Sequence, residues 1–161
     1  MKMIVSDLNF LALVDSCLCT NIRKLSRIIT RIYDSFLEPS GLNINQLGLL
    51  LTIKGQNANA TLSSIGEVGD RLVMEKSTLS RNLRKLEDYG YIETDINPEN
   101  RSQKTAHVTE SGLKVIFDAY GYWDEVQTRI RAKFGVDNFK ELTTQLTTLQ
   151  SDLLEEFGNV F

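Results

Sequence analysis

The sequence predicts a mostly α-helical chain with one small β-hairpin, and three observations predict it. Apolar residues recur at three- and four-residue steps through most of the 161 residues. One stretch, Tyr91-Ile92-Glu93-Thr94-Asp95-Ile96, alternates instead with the two-residue period of a strand. Prolines number only 2, so few helices need be interrupted. At this length, with 42% hydrophobic residues, the chain can bury one real core and reads as a single domain with extensions.

Residues 1–12 read as an arm or a short helix. The first firm helix runs from about Asp15 to Leu37: Leu18, Ile22, Leu25, Ile29, Ile32, Tyr33 and Phe36 keep helical spacing, and Arg23, Lys24, Arg27 and Arg31 fill other faces. Pro39-Ser40-Gly41 ends it. Asn43 is an N-cap with Gln46 at the reciprocal capping position, opening a Leu-rich second helix, Ile44–Lys54, closed by Gly55. A polar connector follows over 56–60. Thr61 can cap a third helix near Leu62–Val68, and Arg71–Glu75 is a turn region.

The fourth helix organises the rest. Leu79, Leu83, Leu86 and Tyr89 lie on one stripe that packs inward, and Gly90 closes the helix. Ser77, Arg81 and Arg84 lie opposite, flanked by Thr78, Ser80 and Lys85. Lys76 to Leu86 holds four basic residues and no acidic one, in a chain of net charge −3. Short hydroxyls and long guanidinium groups on one helical face suit the major groove of DNA, where Arg can pair with both guanine acceptors. The mild overall acidity argues against non-specific coating of nucleic acid, not against one basic reading face. After this helix the strand Tyr91–Ile96, the turn Asn97-Pro98-Glu99-Asn100-Arg101-Ser102 and a second strand Thr105–Val108 form a hairpin. A helix pair, a basic helix and a hairpin are the parts of a winged helix-turn-helix. Arg101 near the hairpin tip and Lys104 on its return arm are placed to meet a phosphate or the minor groove.

Thr109 caps a long fifth helix, carried by Val115, Ile116, Ala119, Tyr120, Trp123, Val126 and Ile130 and broken at Gly135. The last helix bears Phe139, Leu142, Leu146, Leu149, Leu153 and Phe157, a coiled-coil-like seam that needs a partner. A second copy of the chain fits, since two-fold symmetry gives half-site readers affinity and register; the alternative is packing on the chain's own first helix. The organisation expected is therefore an N-terminal arm and first helix for dimerisation (1–38), a winged helix-turn-helix DNA-binding lobe (39–112) and C-terminal dimerisation helices (113–161).

No catalytic residue, cofactor or metal is predicted. His107 is the single histidine, so neither a His/Cys zinc site nor a catalytic triad can be assembled, and no glycine-rich phosphate loop is present. The chain does not read as an enzyme. No apolar run reaches membrane-spanning length, and two closely spaced cysteines make no disulfide framework, so a soluble cytoplasmic protein is expected. Cys17 and Cys19 are either a redox-sensing pair, with Arg23 favouring the Cys19 thiolate, or small buried apolar residues beside the dimer seam.

With these residues in view, the chain resembles the MarR family of winged-helix transcription factors from about Cys17 to Phe157. The resemblance rests on Tyr33-Asp34, Leu42 and Gln46-Leu47, on Ser77-Thr78-Leu79-Ser80-Arg81-Asn82-Leu83, on Leu86-Glu87-Asp88-Tyr89-Gly90-Tyr91-Ile92, and on the hairpin with Thr109-Glu110-Ser111-Gly112. It implies a homodimer that binds a palindromic operator in double-stranded DNA, usually as a repressor, with a small ligand or an oxidant loosening the grip. A ligand pocket in such proteins lies between the first, second and fifth helices, where this chain has Tyr33, Phe36, Tyr120 and Trp123. Two departures stand out. The family's Asp-x-Arg wing element is replaced by Glu99-Asn100-Arg101 or Asn100-Arg101-Ser102, and the segment Thr61–Thr78 looks longer around Val68-Gly69-Asp70. The rival reading is an interaction module, an antirepressor or adaptor, that keeps the scaffold without reading an operator.

Overall fold

The structure, a computed structural model, describes residues 9–57, 63–97 and 100–158. In chain order the elements are α1 (Phe10–Ser16), α2 (Leu18–Leu37), a 3-10 turn (Glu38–Ser40), α3 (Ile44–Asn57), β1 (Ser63–Ser64), α4 (Ile65–Arg71), α5 (Lys76–Asp88), β2 (Ile92–Ile96), β3 (Lys104–Val108), α6 (Glu110–Phe134) and α7 (Val136–Phe157). It is a mostly α fold with a small antiparallel sheet, a winged helix-turn-helix.

One core binds the lobe. The stripe Leu79, Leu83 and Leu86 of α5 meets Leu47, Leu50 and Ile53 of α3, Val68 of α4, Ile92 of β2 and Ala119 of α6, all buried. α3 buries Gln46, Leu47, Leu49, Leu50 and Ile53 because it lies at the centre of the lobe. Its start is held twice. Asn43 and Gln46 exchange backbone-to-side-chain hydrogen bonds at 3.0 and 2.9 Å, the reciprocal cap expected from the sequence, and Asp34 of α2 accepts the Ile44 N–H at 2.8 Å.

Several boundaries differ from the sequence expectation. The first helix is two helices, broken at Cys17 in extended backbone (φ −72°, ψ 118°). The Asn21 side-chain amide ties the two helices across the break, donating to the carbonyls of Asp15 (2.7 Å) and Cys17 (3.0 Å), the latter also accepting the Asn21 backbone N–H (3.1 Å). The second helix passes through Gly55 to Asn57, whose Nδ2 donates to the Ala106 carbonyl of the sheet. Residues 63–64 are a short strand rather than the start of a helix, so α4 begins at Ile65; Thr61 and Leu62 lie outside the described residues. That strand pairs with β3 and turns the hairpin into a sheet of order β1-β3-β2, with Ser64 opposite Thr105 and Ile92 opposite Val108. Tyr89 is exposed, not part of the inward stripe.

Two helices end in the same way with opposite chemistry. After α5, Tyr91 N–H bonds to the Leu86 carbonyl and Gly90 N–H to that of Glu87, with Gly90 left-handed at φ 70°. After α4, Met74 N–H bonds to the Gly69 carbonyl and Val73 N–H to that of Asp70, but here the left-handed residue (φ 47°) is Val73. Glycine adopts this conformation freely at such caps, whereas a β-branched residue is strained. Relief of about 1–2 kcal/mol, less up to about 1 kcal/mol for glycine's extra chain entropy, should make Val73→Gly more stable by about 0.5–1 kcal/mol. A thermal melt followed by circular dichroism checks this; a lower Tm would show that the Val73 side chain contributes more than its strain costs.

Candidate nucleic-acid interface

The helix-turn-helix is α4, the turn Leu72–Glu75 and α5. At about 100° per residue, Asn82, Leu86, Leu79 and Leu83 occupy one side of α5 and are buried. The rest of the circle holds Lys76, Glu87, Ser80, Arg84, Ser77, Asp88, Arg81, Lys85 and Thr78 in that order, over an arc about 200° wide. All are exposed except Thr78, which is half-buried at the margin. Arg81 lies well inside the arc. Lys85 lies at its edge and borders a cleft with Asp34, Gln46 and Tyr89.

The electrostatics of this face are unbalanced. Among the described residues Arg81, Arg84 and Lys85 make no ion pair. Arg81 faces like charges at three and four residues' distance, an arrangement that destabilises a helix slightly. Their N–H donors are therefore free for acceptors outside the chain, and an anionic ligand would relieve the repulsion.

The hairpin is fastened to this helix. Thr94 of β2 donates to Glu87 of α5 at 2.6 Å. The Thr109 hydroxyl donates to the Gly90 carbonyl (2.7 Å) and accepts from Gly112 N–H (3.0 Å), capping α6, while Thr109 N–H bonds to the Tyr91 carbonyl (3.1 Å). One residue thus joins the end of α5, the hairpin and α6. At the hairpin tip the Asn100 side-chain Oδ1 accepts from the Ser102 N–H and hydroxyl at 3.2 and 2.7 Å. Asn100 is therefore spent on the turn and does not brace Arg101; Glu99 lies outside the described residues. Arg101 is exposed with no ion pair among the described residues, and Lys104 is exposed at the start of β3, opposite Ile96. His107 pairs with Glu93 across the hairpin at 3.0 Å.

The arrangement thus brings Ser77, Thr78, Ser80, Arg81, Arg84 and Lys85 onto one helical face, with Arg101 and Lys104 on the hairpin tied to it. Sequence reasoning assigned no role to Asn82, Glu87, Thr94 or Gly112. Asn82 is a buried polar residue whose amide donates to the Thr78 carbonyl at 2.9 Å, so it looks inward from a position that reads as surface chemistry.

Cys17 and Cys19 are both exposed, so neither is buried packing within the chain. Cys17 stands at the N-cap position of α2. The Thr20 hydroxyl, followed by the Thr20 N–H, lowers its thiol pKa below the ordinary value, so the thiol is lowered through Thr20. Of the aromatic set, Tyr33 is buried, and that burial raises its pKa, while Phe36 and Trp123 are half-buried. Tyr120 is exposed and stacks on Trp123 with ring centroids 5.8 Å apart.

Comparison with known proteins agrees with this geometry. Residues 42–112 match the family model of a winged helix DNA-binding domain. The chain is 28% identical over 129 residues to the HTH-type transcriptional regulator BilQ of Clostridioides difficile, covering 76% of this chain and 84% of that one. Among solved structures it is similar to the transcriptional regulator MosR of M. tuberculosis (TM-score 0.74, 25% identity, 86% of this chain and 96% of that one). The same regulator in complex with DNA superposes at TM-score 0.69, with 24% identity over 84% of this chain and 98% of that one. MarR itself superposes at TM-score 0.72, with 23% identity over 90% of this chain and 96% of that one. Over residues 42–112 the chain is thus a winged helix DNA-binding domain, set in an architecture similar end to end to that of solved transcriptional regulators, MarR among them.

Proposed function

We propose that the chain is a homodimeric repressor that reads a palindromic operator in double-stranded DNA, with residues 39–112 as the reading lobe and residues 1–38 and 113–161 as the dimer arms. The observation that carries the reading is the face of α5, where Ser77, Thr78, Ser80, Arg81, Arg84 and Lys85 are presented without acidic partners. In this reading Arg81 and Arg84 meet base edges, Ser77, Thr78, Ser80 and Lys85 meet phosphates or bases, and Arg101 and Lys104 hold the wing against the backbone.

Dimerisation is supported by surface area. The chain exposes 12146 Å², whereas a monomeric globular protein of 18.2 kDa exposes about 8,100 Å². Large apolar side chains stand exposed on the terminal helices: Leu18, Ile22, Leu25 and Ile29 of α2, and Leu146, Leu153 and Phe157 of α7. Two effectors fit as modulators. An oxidant would act at Cys17, whose thiol is exposed and shifted toward thiolate, with Cys19 two residues on. A small aromatic ligand would use the Tyr120–Trp123 stack.

The test is selection of bound DNA from a random pool, followed by titration of the winner at two salt concentrations with and without peroxide. A palindromic winner whose affinity falls steeply with salt is expected. Release by peroxide in the parent chain but not in Cys17→Ser is the expected mark of oxidant control. Binding unchanged by peroxide removes the cysteines from the mechanism. No enrichment at low salt removes operator reading and leaves a protein-interaction module.

A further inference from the structure

The helices that leave their apolar stripes exposed carry opposite charge. α2 has four cations, Arg23, Lys24, Arg27 and Arg31, against one acid, Asp34; α7 has five acids, among them Asp152, Glu155 and Glu156, against Lys140. Within the chain these charges are nearly unused. Lys24 makes one exposed pair, with Asp15 at 3.5 Å, and among the described residues Arg23, Arg27, Arg31 and the acids of α7 make none.

The charges sit where they can choose a partner. On α2, Lys24, Ile28 and Arg31 follow one another at steps of four and three, so two cations flank the apolar stripe at its Ile28 edge. On α7, Leu149, Asp152 and Glu156 follow at steps of three and four, so two carboxylates flank that stripe at its Leu149 edge. Residues flanking a coiled-coil-like seam decide which helices meet and in what orientation. Packing α2 against α2 would oppose cations, and α7 against α7 would oppose carboxylates. Of the pairings between these two helices, α2 against α7 of another molecule is the complementary one, and like-charge contact disfavours the other two.

We propose that the Lys24–Arg31 edge of α2 pairs with Asp152 and Glu156 of α7 in a second copy of the chain, and that this charge match selects the α2–α7 pairing of the dimer. The inference rests on the dimer reading above and adds the residues that specify it. Exposed pairs of this kind are screened by salt, so the selection is strongest at low ionic strength.

The experiment is sedimentation equilibrium of the full chain at low and high salt, for the parent chain, Lys24→Glu/Arg31→Glu, Asp152→Lys/Glu156→Lys, and the four substitutions combined. All four side chains are exposed, and helical content by circular dichroism checks that each variant folds. Each double variant should raise the dimer dissociation constant by about tenfold at low salt, since attraction becomes repulsion at each symmetric seam, with the effect shrinking at high salt. The combined variant should return to within about twofold of the parent, because the pairs are restored in reverse. The neutral pair Lys24→Gln/Arg31→Gln should give a smaller loss of the same sign. A parent dimer that both double variants leave unchanged, or a combined variant that does not recover, overturns the charge pairing while the dimer stands. A parent chain that is monomeric at micromolar concentration overturns the pairing and the dimer together.

Discussion

Arg81→Ala should weaken binding to the selected operator by about 1–3 kcal/mol, roughly 5- to 150-fold, while leaving the melting temperature unchanged or slightly raised. The two effects separate because of where Arg81 sits. It is well inside the exposed arc of α5, one turn from Ser77 and from Arg84 and Lys85, and it has no acidic partner among the described residues. A guanidinium so exposed contributes little to the stability of the fold. It repels two neighbouring cations, at a cost of about 0.2–0.5 kcal/mol per pair, so its removal relieves the free chain. A residue whose loss favours folding and disfavours binding belongs to the ligand. Anisotropy titrations on the operator and on scrambled DNA decide its role. A larger loss on the operator makes Arg81 a base reader, and an equal loss on both makes it a phosphate clamp. No loss on either would take α5 out of the interface.

The basic face was legible because α5 is amphipathic in the simplest way. Leu79, Leu83 and Leu86 fix its inward side by period alone, and every cation then falls outside. The cap at Asn43 and Gln46, the cap at Thr109 and the breaks at Gly90 and Gly135 were legible for the same reason, since their signals are local. What escaped depends on partners distant in sequence or on backbone that periodicity does not report. The helix break at Cys17 has no proline or glycine to mark it; it is held by Asn21, a residue that reads as ordinary helix surface. The strand at residues 63–64 exists because β3 has a free edge, a fact about residues about forty positions away. Asn100 resembles a wing brace in sequence but turns its side chain onto Ser102. The segment between Thr61 and Thr78 reads as lengthened, yet its main local anomaly is conformational: a left-handed Val73 where the preceding helix ends.

Gly112→Ala should cost about 1–3 kcal/mol of stability, lowering Tm by about 2–12 °C, although it adds a single methyl group to a residue outside the basic face. A Cβ at Gly112 would collide with the Tyr91 carbonyl oxygen and stand 2.7 Å from Cγ1 of Val108. The carbonyl cannot retreat cheaply, because it already accepts the Thr109 N–H, and Thr109 in turn bonds Gly90 and caps α6. The first turn of α6 lies against the root of the hairpin only because position 112 has no side chain. Forcing it away loosens the end of α5, β2 and β3 together, so operator affinity should fall along with stability, in contrast to Arg81→Ala. Ser111→Ala is the control: Ser111 is exposed in the same turn and should melt within about 2 °C of the parent, as surface substitutions usually do. If Gly112→Ala melts with the parent, the junction of α5, hairpin and α6 is more pliable than its hydrogen bonds imply. The wing would then be positioned by the Glu87–Thr94 bond and the DNA rather than by α6.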